Sequence, residues 1–260
     1  MKSLASWRRR PAAIVVLLML GLVATGSLYS LLAPRPAQAA ASTADDVAQG
    51  KKLFLANCAT CHGIQGLGAL GGPSLAGVGA ASVDFQVGTG RMPPTGSIVQ
   101  GPRKGDLKFT PQQIASLAAF VGSLAPGPAI PDARFTRGDG DLANGAKLFR
   151  VNCAMCHNFA GSGGALSRGM AAPSLRNVTG QHMYEAMVTG PQSMPVFSDL
   201  NLSAKDKNDI ISYMHELDKE KNPGGMSLGN LGPVSEGMFV WVFGLSLLIG
   251  AAVWLGSKAA

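Results

Sequence analysis

The chain is poor in aromatic and charged residues, which make up only 6% and 14% of its 260 residues. Glycine and proline are abundant instead, with 34 and 16 residues. A folded domain normally fills its core with large apolar side chains. The shortage of aromatic residues therefore predicts small, loop-rich domains whose cores are completed partly by something other than side chains.

The chain also lacks the basic surface that binds nucleic acid. Its formal net charge is +7, but residues 41–237 contain 16 basic and 15 acidic residues, a net charge of +1. The excess lies near the ends, at Lys2, Arg8, Arg9, Arg10, Arg35 and Lys258. Basic residues beside apolar segments are typical of membrane proteins. The charge pattern therefore indicates membrane topology and argues against a nucleic-acid partner.

Two terminal stretches contain no charged residue, at 12–33 and 238–256. About 20 apolar residues span the hydrocarbon core of a bilayer, so each stretch is predicted to be a transmembrane helix. A cleaved signal peptide remains an alternative for the first, since Ala-Gln-Ala at 37–39 suits cleavage, but the apolar run is long for a signal and we favour a retained anchor. A buried soluble helix is the alternative for the second. Positive residues remain in the cytoplasm, which places residues 41–237 on the extracytoplasmic side of the cell membrane.

The region between these stretches is an internal repeat. GKKLFLANCATCHG at 50–63 matches GAKLFRVNCAMCHN at 145–158, and GGPSL at 71–75 matches AAPSL at 171–175. Further on, VGTGRMPP matches VTGPQSMPVF. Each copy then has a helix-capping pattern before an amphipathic segment, at Thr110 with Gln113 and at Ser203 with Asp206.

The repeat predicts two tandem, mainly α-helical domains. The predicted organisation is an anchor at 1–40, domain 1 at 41–124, a Pro/Gly-rich linker at 125–137, domain 2 at 138–222, a second linker at 223–237 and a transmembrane helix at 238–260. Domain 1 and domain 2 keep these names below.

Each copy contains the motif Cys-x-x-Cys-His. The two motifs are Cys58, Cys61 and His62, and Cys153, Cys156 and His157. Disulfides, zinc binding and thiol redox chemistry are alternatives for a Cys-x-x-Cys pair, but none of them explains a histidine after the second cysteine in both copies. This pattern is the attachment motif of c-type haem, in which the cysteines form thioethers and the histidine binds the iron. The sequence therefore predicts two covalently attached haems c.

A methionine in each copy is a candidate second ligand of the iron. Met92 is the only methionine between His62 and Cys153, and it lies in a Gly/Pro-rich loop. Met194 occupies the matching place in domain 2, although its loop is longer. The other candidates in domain 2 are Met170, His182, Met183 and Met187. A His/Met pair leaves no open position on the iron, which favours electron transfer over reaction with a bound substrate.

These motifs resemble class I cytochrome c domains, and most of the chain resembles the di-haem cytochrome c subunit of actinobacterial cytochrome bcc complexes. The segment NPGGMSLGNLGPVSEG and the C-terminal VWLGSK belong to the match. The resemblance implies that the carbonyls of Pro73 and Pro173 accept hydrogen bonds from the proximal histidines. It also implies a cytochrome b subunit, a Rieske iron–sulfur subunit and a terminal cytochrome c oxidase as partners, in a dimeric complex.

The expected function is electron transfer within a quinol–cytochrome c reductase, from the Rieske centre through two haems to an oxidase. Quinol oxidation itself is expected in the cytochrome b partner, so this chain contains no catalytic site for it. Two other functions remain open. One is a di-haem subunit of a cytochrome oxidase, and the other is a di-haem peroxidase, which would need one iron with an open position.

Overall fold

The structure is a computed structural model of the chain, and it describes residues 11–32, 42–69, 71–96, 100–219 and 233–258. The arginines at 8–10, the possible cleavage motif at 37–39 and most of the linker predicted at 223–237 lie outside the described residues. The chain divides into an N-terminal unit, which contains the first helix, and a larger unit that contains all the other elements.

The described residues are mainly helical. The helices are α1 Pro11–Leu32, α2 Ala44–Asn57, α3 Ala59–His62, α4 Gly79–Gly88, α5 Pro111–Gly122, α6 Leu142–Asn152, α7 Ala154–His157, α8 Gly180–Thr189, α9 Ala204–Lys219 and α10 Pro233–Lys258. Two short strands, β1 Gly164–Ala165 and β2 Ala171–Ala172, pair antiparallel. Short 3-10 turns lie at Ala133–Phe135 and Ser167–Gly169. The predicted mainly α-helical fold is confirmed.

The terminal helices are long and apolar enough to cross a membrane. The candidate spans are Ala12–Leu31 and Ser235–Lys258, and none of the second is buried. The C-terminal helix, α10, begins at Pro233, inside the linker predicted at 223–237. Proline suits the first turn of a helix, where its missing N–H has no partner to lose, so the helix extends into the polar residues before the apolar run.

The helix caps predicted from the sequence are confirmed. The Thr110 hydroxyl accepts a hydrogen bond from the Gln113 backbone at 3.3 Å, and Gln113 Oε1 accepts one from the Thr110 backbone at 2.9 Å. Ser203 and Asp206 form the same reciprocal pair before α9. Each capping box satisfies backbone N–H groups that a helix start otherwise leaves unpaired.

In each domain the first and last helices, α2 with α5 and α6 with α9, cross at a glycine. A Cβ at Gly50 would overlap the carbonyl oxygen of Ser116, and one at Gly145 would overlap that of Asp209. Fully buried phenylalanines follow one turn later, Phe54 in α2 and Phe149 in α6. The glycine that begins each sequence repeat therefore lets two helix backbones touch.

We expect Gly50→Ala to destabilise domain 1 by about 1–3 kcal/mol, because the added methyl group forces the crossing helices apart. Denaturant unfolding of the haem-loaded full chain, followed by circular dichroism, measures the effect. Gly105→Ala is the control, since nothing lies within 4 Å of a Cβ at that position. Equal stability of the two variants would contradict the packing role of Gly50.

The cores of the two domains are built alike. In domain 1 the buried apolar cluster centres on Phe54, and α5 contributes Ile114, Leu117 and Val121. In domain 2 it centres on Phe149, and α9 contributes Ile210, Ile211 and Met214. The equivalent helices α4 and α8 of the two domains contact each other. This contact brings the two copies of the repeat together.

Candidate functional site

The two Cys-x-x-Cys-His segments have the same backbone geometry. The helix before each segment ends one residue before its first cysteine, and that cysteine leaves the helical conformation, with φ −121° and ψ −28° at Cys58 and φ −121° and ψ −37° at Cys153. A single helical turn then contains the second cysteine and the histidine. The backbone N–H of His62 donates to the Cys58 carbonyl at 2.9 Å, and that of His157 to the Cys153 carbonyl at 2.9 Å.

The four motif cysteines form no disulfide with one another. Burial raises the pKa of Cys58, and burial followed by the neighbouring Cys156 raises the pKa of Cys153 to about 12. The neutral sulfur of a thioether suits these partly or fully buried positions.

Each motif histidine is oriented by a proline carbonyl. His62 Nδ1 donates to Pro73 O at 2.8 Å, and His157 Nδ1 donates to Pro173 O at 2.9 Å. Because a carbonyl oxygen only accepts, Nδ1 carries the proton and the lone pair is left on Nε2. Burial lowers the pKa of His157, although its bond to Pro173 opposes the shift. That histidine is therefore held as a neutral imidazole, the form that binds a metal.

The loop that supplies each proline carbonyl is held by antiparallel pairing in both domains. In domain 1 Gly72 forms a β-bridge with Ala69, and in domain 2 the equivalent residue, Ala172, pairs with Gly164 in the two-stranded sheet. A Cβ at Gly72 would lie 3.0 Å from the ring of His62, so the bare glycine backbone allows a close approach in domain 1. The pairing brings each loop to its histidine.

The two candidate methionine ligands lie in loops that follow the equivalent helices α4 and α8. Met92 is 38% exposed. Its backbone N–H donates to the Gln86 carbonyl at 2.9 Å, and this hydrogen bond turns the chain back towards α4. Met194 lies at the margin of the domain 2 core. The backbone N–H of Met194 donates to the Pro191 carbonyl at 3.1 Å.

The other candidate ligands of domain 2 have different surroundings. Met183 and Met187 lie in the buried core, with 6% and 4% exposure. Met170 accepts a hydrogen bond at sulfur from the Ser193 hydroxyl at 3.1 Å. His182 lies against Asp84 of domain 1, with Nε2 3.7 Å from Oδ2. Within α8, the two methionines are core residues and the histidine lies at the contact with domain 1.

Comparison with known families assigns both domains. Residues 47–125 match the family model described as cytochrome c, and residues 140–214 match that of cytochrome c oxidase, cbb3-type, subunit III. A cytochrome bc1 complex cytochrome c subunit from Corynebacterium efficiens is 44% identical over 270 residues, which cover 96% of this chain and 90% of that protein. The subunit of the same name from Mycobacterium leprae is also 44% identical, over 94% of this chain and 87% of its own length.

The chain belongs to the family of cytochrome bc1 complex cytochrome c subunits. It contains two cytochrome c domains, carries two covalently bound c-type haems and acts in electron transfer. A partial similarity also links it to a cbb3-type cytochrome c oxidase subunit, FixP, of Bradyrhizobium diazoefficiens, which is 34% identical over 49% of this chain and 44% of that protein. The apolar terminal helices, together with the family, support membrane anchoring.

The residues of this cytochrome c subunit fit the haem groups that its family implies. Each domain presents two free thiols three residues apart and a histidine whose Nε2 is available for iron. Each also has a methionine outside its buried core cluster, in the loop after α4 or α8. Thioether formation needs the thiols, and axial binding needs the nitrogen and sulfur donors.

Sequence reasoning missed a contact between the haem-binding loops of this cytochrome c subunit. Gln100 follows the Met92 loop in the chain, and its side chain forms two hydrogen bonds with the backbone of Ala171. Its Nε2 donates to the Ala171 carbonyl at 2.7 Å, and its Oε1 accepts from the Ala171 N–H at 2.8 Å. Ala171 lies two residues before Pro173, the acceptor for His157. A single glutamine in a loop has no motif, so only the placement of the two domains reveals this bridge.

We expect Gln100→Ala to loosen the loop that contains Ala171, because two hydrogen bonds worth about 0.5–1.5 kcal/mol each are lost. Amide hydrogen exchange of the haem-loaded full chain should become faster in peptides that cover Ala171. Replacement of the exposed Gln65 by alanine is the control. Unchanged protection at Ala171 would show that the bridge does not hold the loop.

Proposed function

We propose that this chain is the electron-transfer subunit of a quinol–cytochrome c reductase. It receives electrons from a Rieske iron–sulfur centre and delivers them to a terminal cytochrome c oxidase. The observation that carries the proposal is the duplicated site: two Cys-x-x-Cys-His segments, each with its histidine bonded to a proline carbonyl, in domains that contact each other. A single-haem carrier needs only one such site.

The proposed haem-binding residues take the same roles in both domains. Cys58 and Cys61, and likewise Cys153 and Cys156, form the thioethers, while the iron ligands are His62 with Met92 and His157 with Met194. Each haem c supplies a reversible one-electron iron couple, and a Met/His ligand pair raises its potential.

The protein's own contribution is to keep these ligands in place. Pro73 and Pro173 fix the tautomer and ring orientation of the histidines, which preserves Nε2 as the donor atom. With a histidine and a methionine both bound to the iron, no position would be left for a substrate. This arrangement favours electron transfer over peroxidase chemistry. Quinol oxidation itself is assigned to the cytochrome b partner.

The proposed partners follow from the family and from tethering. A chain anchored at both ends cannot diffuse between distant complexes, so it must exchange electrons inside one assembly with a cytochrome b subunit, a Rieske subunit and the oxidase. We place both domains on the extracytoplasmic side of the cell membrane, in a dimeric complex. The boundaries of domain 1 at 41–124 and domain 2 at 138–222 are part of the same proposal.

We assign electron entry to domain 1 and delivery to domain 2. The match of residues 140–214 to an oxidase subunit family supports delivery from domain 2. The same match favours a second candidate function, a di-haem subunit built into a cytochrome oxidase. Such a subunit would co-purify with an oxidase and without a cytochrome b–Rieske pair.

Purification of the assembly in mild detergent tests the proposed function. We expect a tagged chain to bring with it b-type haem, an iron–sulfur protein and a-type oxidase haem, visible in reduced-minus-oxidised spectra and by mass spectrometry. Oxidase haem without a cytochrome b–Rieske pair would support the second candidate. A spectrum of c-type haem alone would contradict both assignments.

A further inference from the structure

A cluster of titratable side chains lies between the two cytochrome c domains. Asp84 comes from α4 of domain 1, and His182 and Glu185 come from α8 of domain 2. One ligand atom of each residue lies within 4.8 Å of the others. Glu185 is fully buried, and the side chains of Asp84 and His182 are only 15% and 19% exposed. None of the three belongs to the proposed haem sites.

The Glu185 carboxylate has an oxygen with no hydrogen-bond partner. Oε2 is buried and unpaired, whereas Oε1 accepts from Gln181 Nε2 at 3.2 Å. The same amide nitrogen also donates to Asp84 Oδ2 at 2.9 Å, so it cannot serve Oε2 as well. Two buried carboxylates that only accept hydrogen bonds need positive charge beside them to be ionised together. Arg91 lies nearby, but its Nη1 has no hydrogen-bond partner, so the charge within the cluster itself is a proton or a metal ion.

The third side chain favours a metal ion. His182 Nε2 points to the carboxylates but lies 3.7 Å from Asp84 Oδ2, beyond hydrogen-bond distance. A metal ion between the two groups would use this nitrogen, whereas a proton shared by the carboxylates would not. His182 and Glu185 are three residues apart, so they lie on one face of α8.

The spacing of the donor atoms suits a tetrahedral ion. Ligands about 2.1 Å from a zinc ion lie about 3.4 Å from each other. His182 Nε2 and Asp84 Oδ2 are 3.7 Å apart, close to this separation. All three donor atoms lie within 4.8 Å of one another, so zinc binding would draw the donors together by up to about 1.4 Å.

We propose that Asp84, His182 and Glu185 form a binding site for a divalent transition-metal ion of the zinc class, which links domain 1 to domain 2. One imidazole and two carboxylates are ligands that such ions accept. The two carboxylates neutralise the charge of the ion, and a water completes its coordination. The ion holds α4 against α8 and so fixes the contact between the two haem domains.

Positive charge beside the site limits the affinity. Arg91 is buried with Nη1 unpaired, and its guanidinium lies 4.8 Å from the centre of the Phe85 ring. Arg103 is exposed and donates to the Asn177 carbonyl at 3.3 Å. Burial and the neighbouring Asp84 also raise the pKa of Glu185 to about 10, so the ion must displace a proton.

Zinc binding to the haem-loaded, untagged full chain tests the proposal. After removal of metal with a chelator, titration with zinc chloride should give one tight site per chain by calorimetry, and elemental analysis should find one zinc after dialysis. Glu185→Gln and His182→Gln should weaken binding at least about 100-fold, since each loses a direct ligand. Glu216→Gln, a partly exposed carboxylate on α9, is the control and should bind zinc as the wild type does.

The glutamine variant also separates the metal from a shared proton. Glu185→Gln is uncharged like protonated glutamate, so the metal-free variant should keep the haem spectrum and the thermal midpoint of the metal-free wild type. Zinc should then raise the midpoint of the wild type and leave that of the variant unchanged. Equal zinc affinity of the two proteins, or no zinc binding by either, would overturn the proposal and leave a proton between the carboxylates.

Discussion

Replacement of both Cys153 and Cys156 by alanine is expected to leave one covalently bound haem per chain instead of two. The thioethers of domain 2 have no other cysteine to replace these thiols, since the only other cysteines lie in domain 1. Haem quantification per chain by the pyridine haemochrome method, with haem staining after denaturing electrophoresis, measures the result. The wild-type chain should give two haems.

Loss of the haem should also destabilise domain 2. A small domain buries too little apolar surface to fold without help, and a group bound only by the folded state stabilises that state. We expect domain 2 of the double variant to be cut by protease while domain 1 resists. The matched variant, with alanine at Cys58 and Cys61, should show the reverse pattern. Two haems retained in either variant would contradict the assignment of that site.

Replacement of Met92 by alanine is expected to lower the midpoint potential of one haem by on the order of 0.1 V. The sulfur of a methionine ligand stabilises ferrous iron, and the choice of axial ligands sets haem potentials over a range of about 0.8 V. Domain 1 has no other methionine or histidine among residues 63–124 to take its place. Spectroscopic redox titration of the purified chain gives the two midpoint potentials.

A methionine that the proposal does not use as an iron ligand provides the control for this prediction. Met155 is 89% exposed, between the two cysteines of domain 2, and its replacement by alanine should leave both potentials unchanged. In domain 2, Met194→Ala should lower the second potential, whereas Met187→Ala should affect stability because Met187 is buried in the core. An unchanged potential after Met92→Ala would exclude Met92 as a ligand.

The repeat made the fold predictable from the sequence. Local rules are sufficient for the capping residues Thr110 and Ser203 and for the spacing of cysteine and histidine, because all the interacting atoms lie within a few residues. The terminal helices follow from apolar length alone. The sequence predicts a transmembrane helix from residue 238, whereas α10 begins at Pro233, because the apolar run marks the membrane core and says little about the polar turn before it.

The contacts between the two domains could not be predicted in this way. Gln100 and Ala171 are 71 residues apart, and Asp84 and Gln181 are 97 residues apart. Such pairs depend on how α4 and α8 meet, which no local pattern describes. His182 illustrates the limit: its position beside the carboxylates of Asp84 and Glu185 appears only in the folded chain.

Oxygen-driven oxidation of the purified assembly tests the central claim most directly, that electrons pass through this chain. The detergent-extracted assembly is reduced anaerobically with a quinol, mixed rapidly with oxygen, and followed at the α band of c-type haem. The account predicts that the c-type haem of both domains is oxidised during the first turnover of the oxidase and becomes reduced again while quinol lasts. Oxygen consumption with the c-type haem remaining fully reduced would contradict it, because electrons would then reach the oxidase by a route outside this chain.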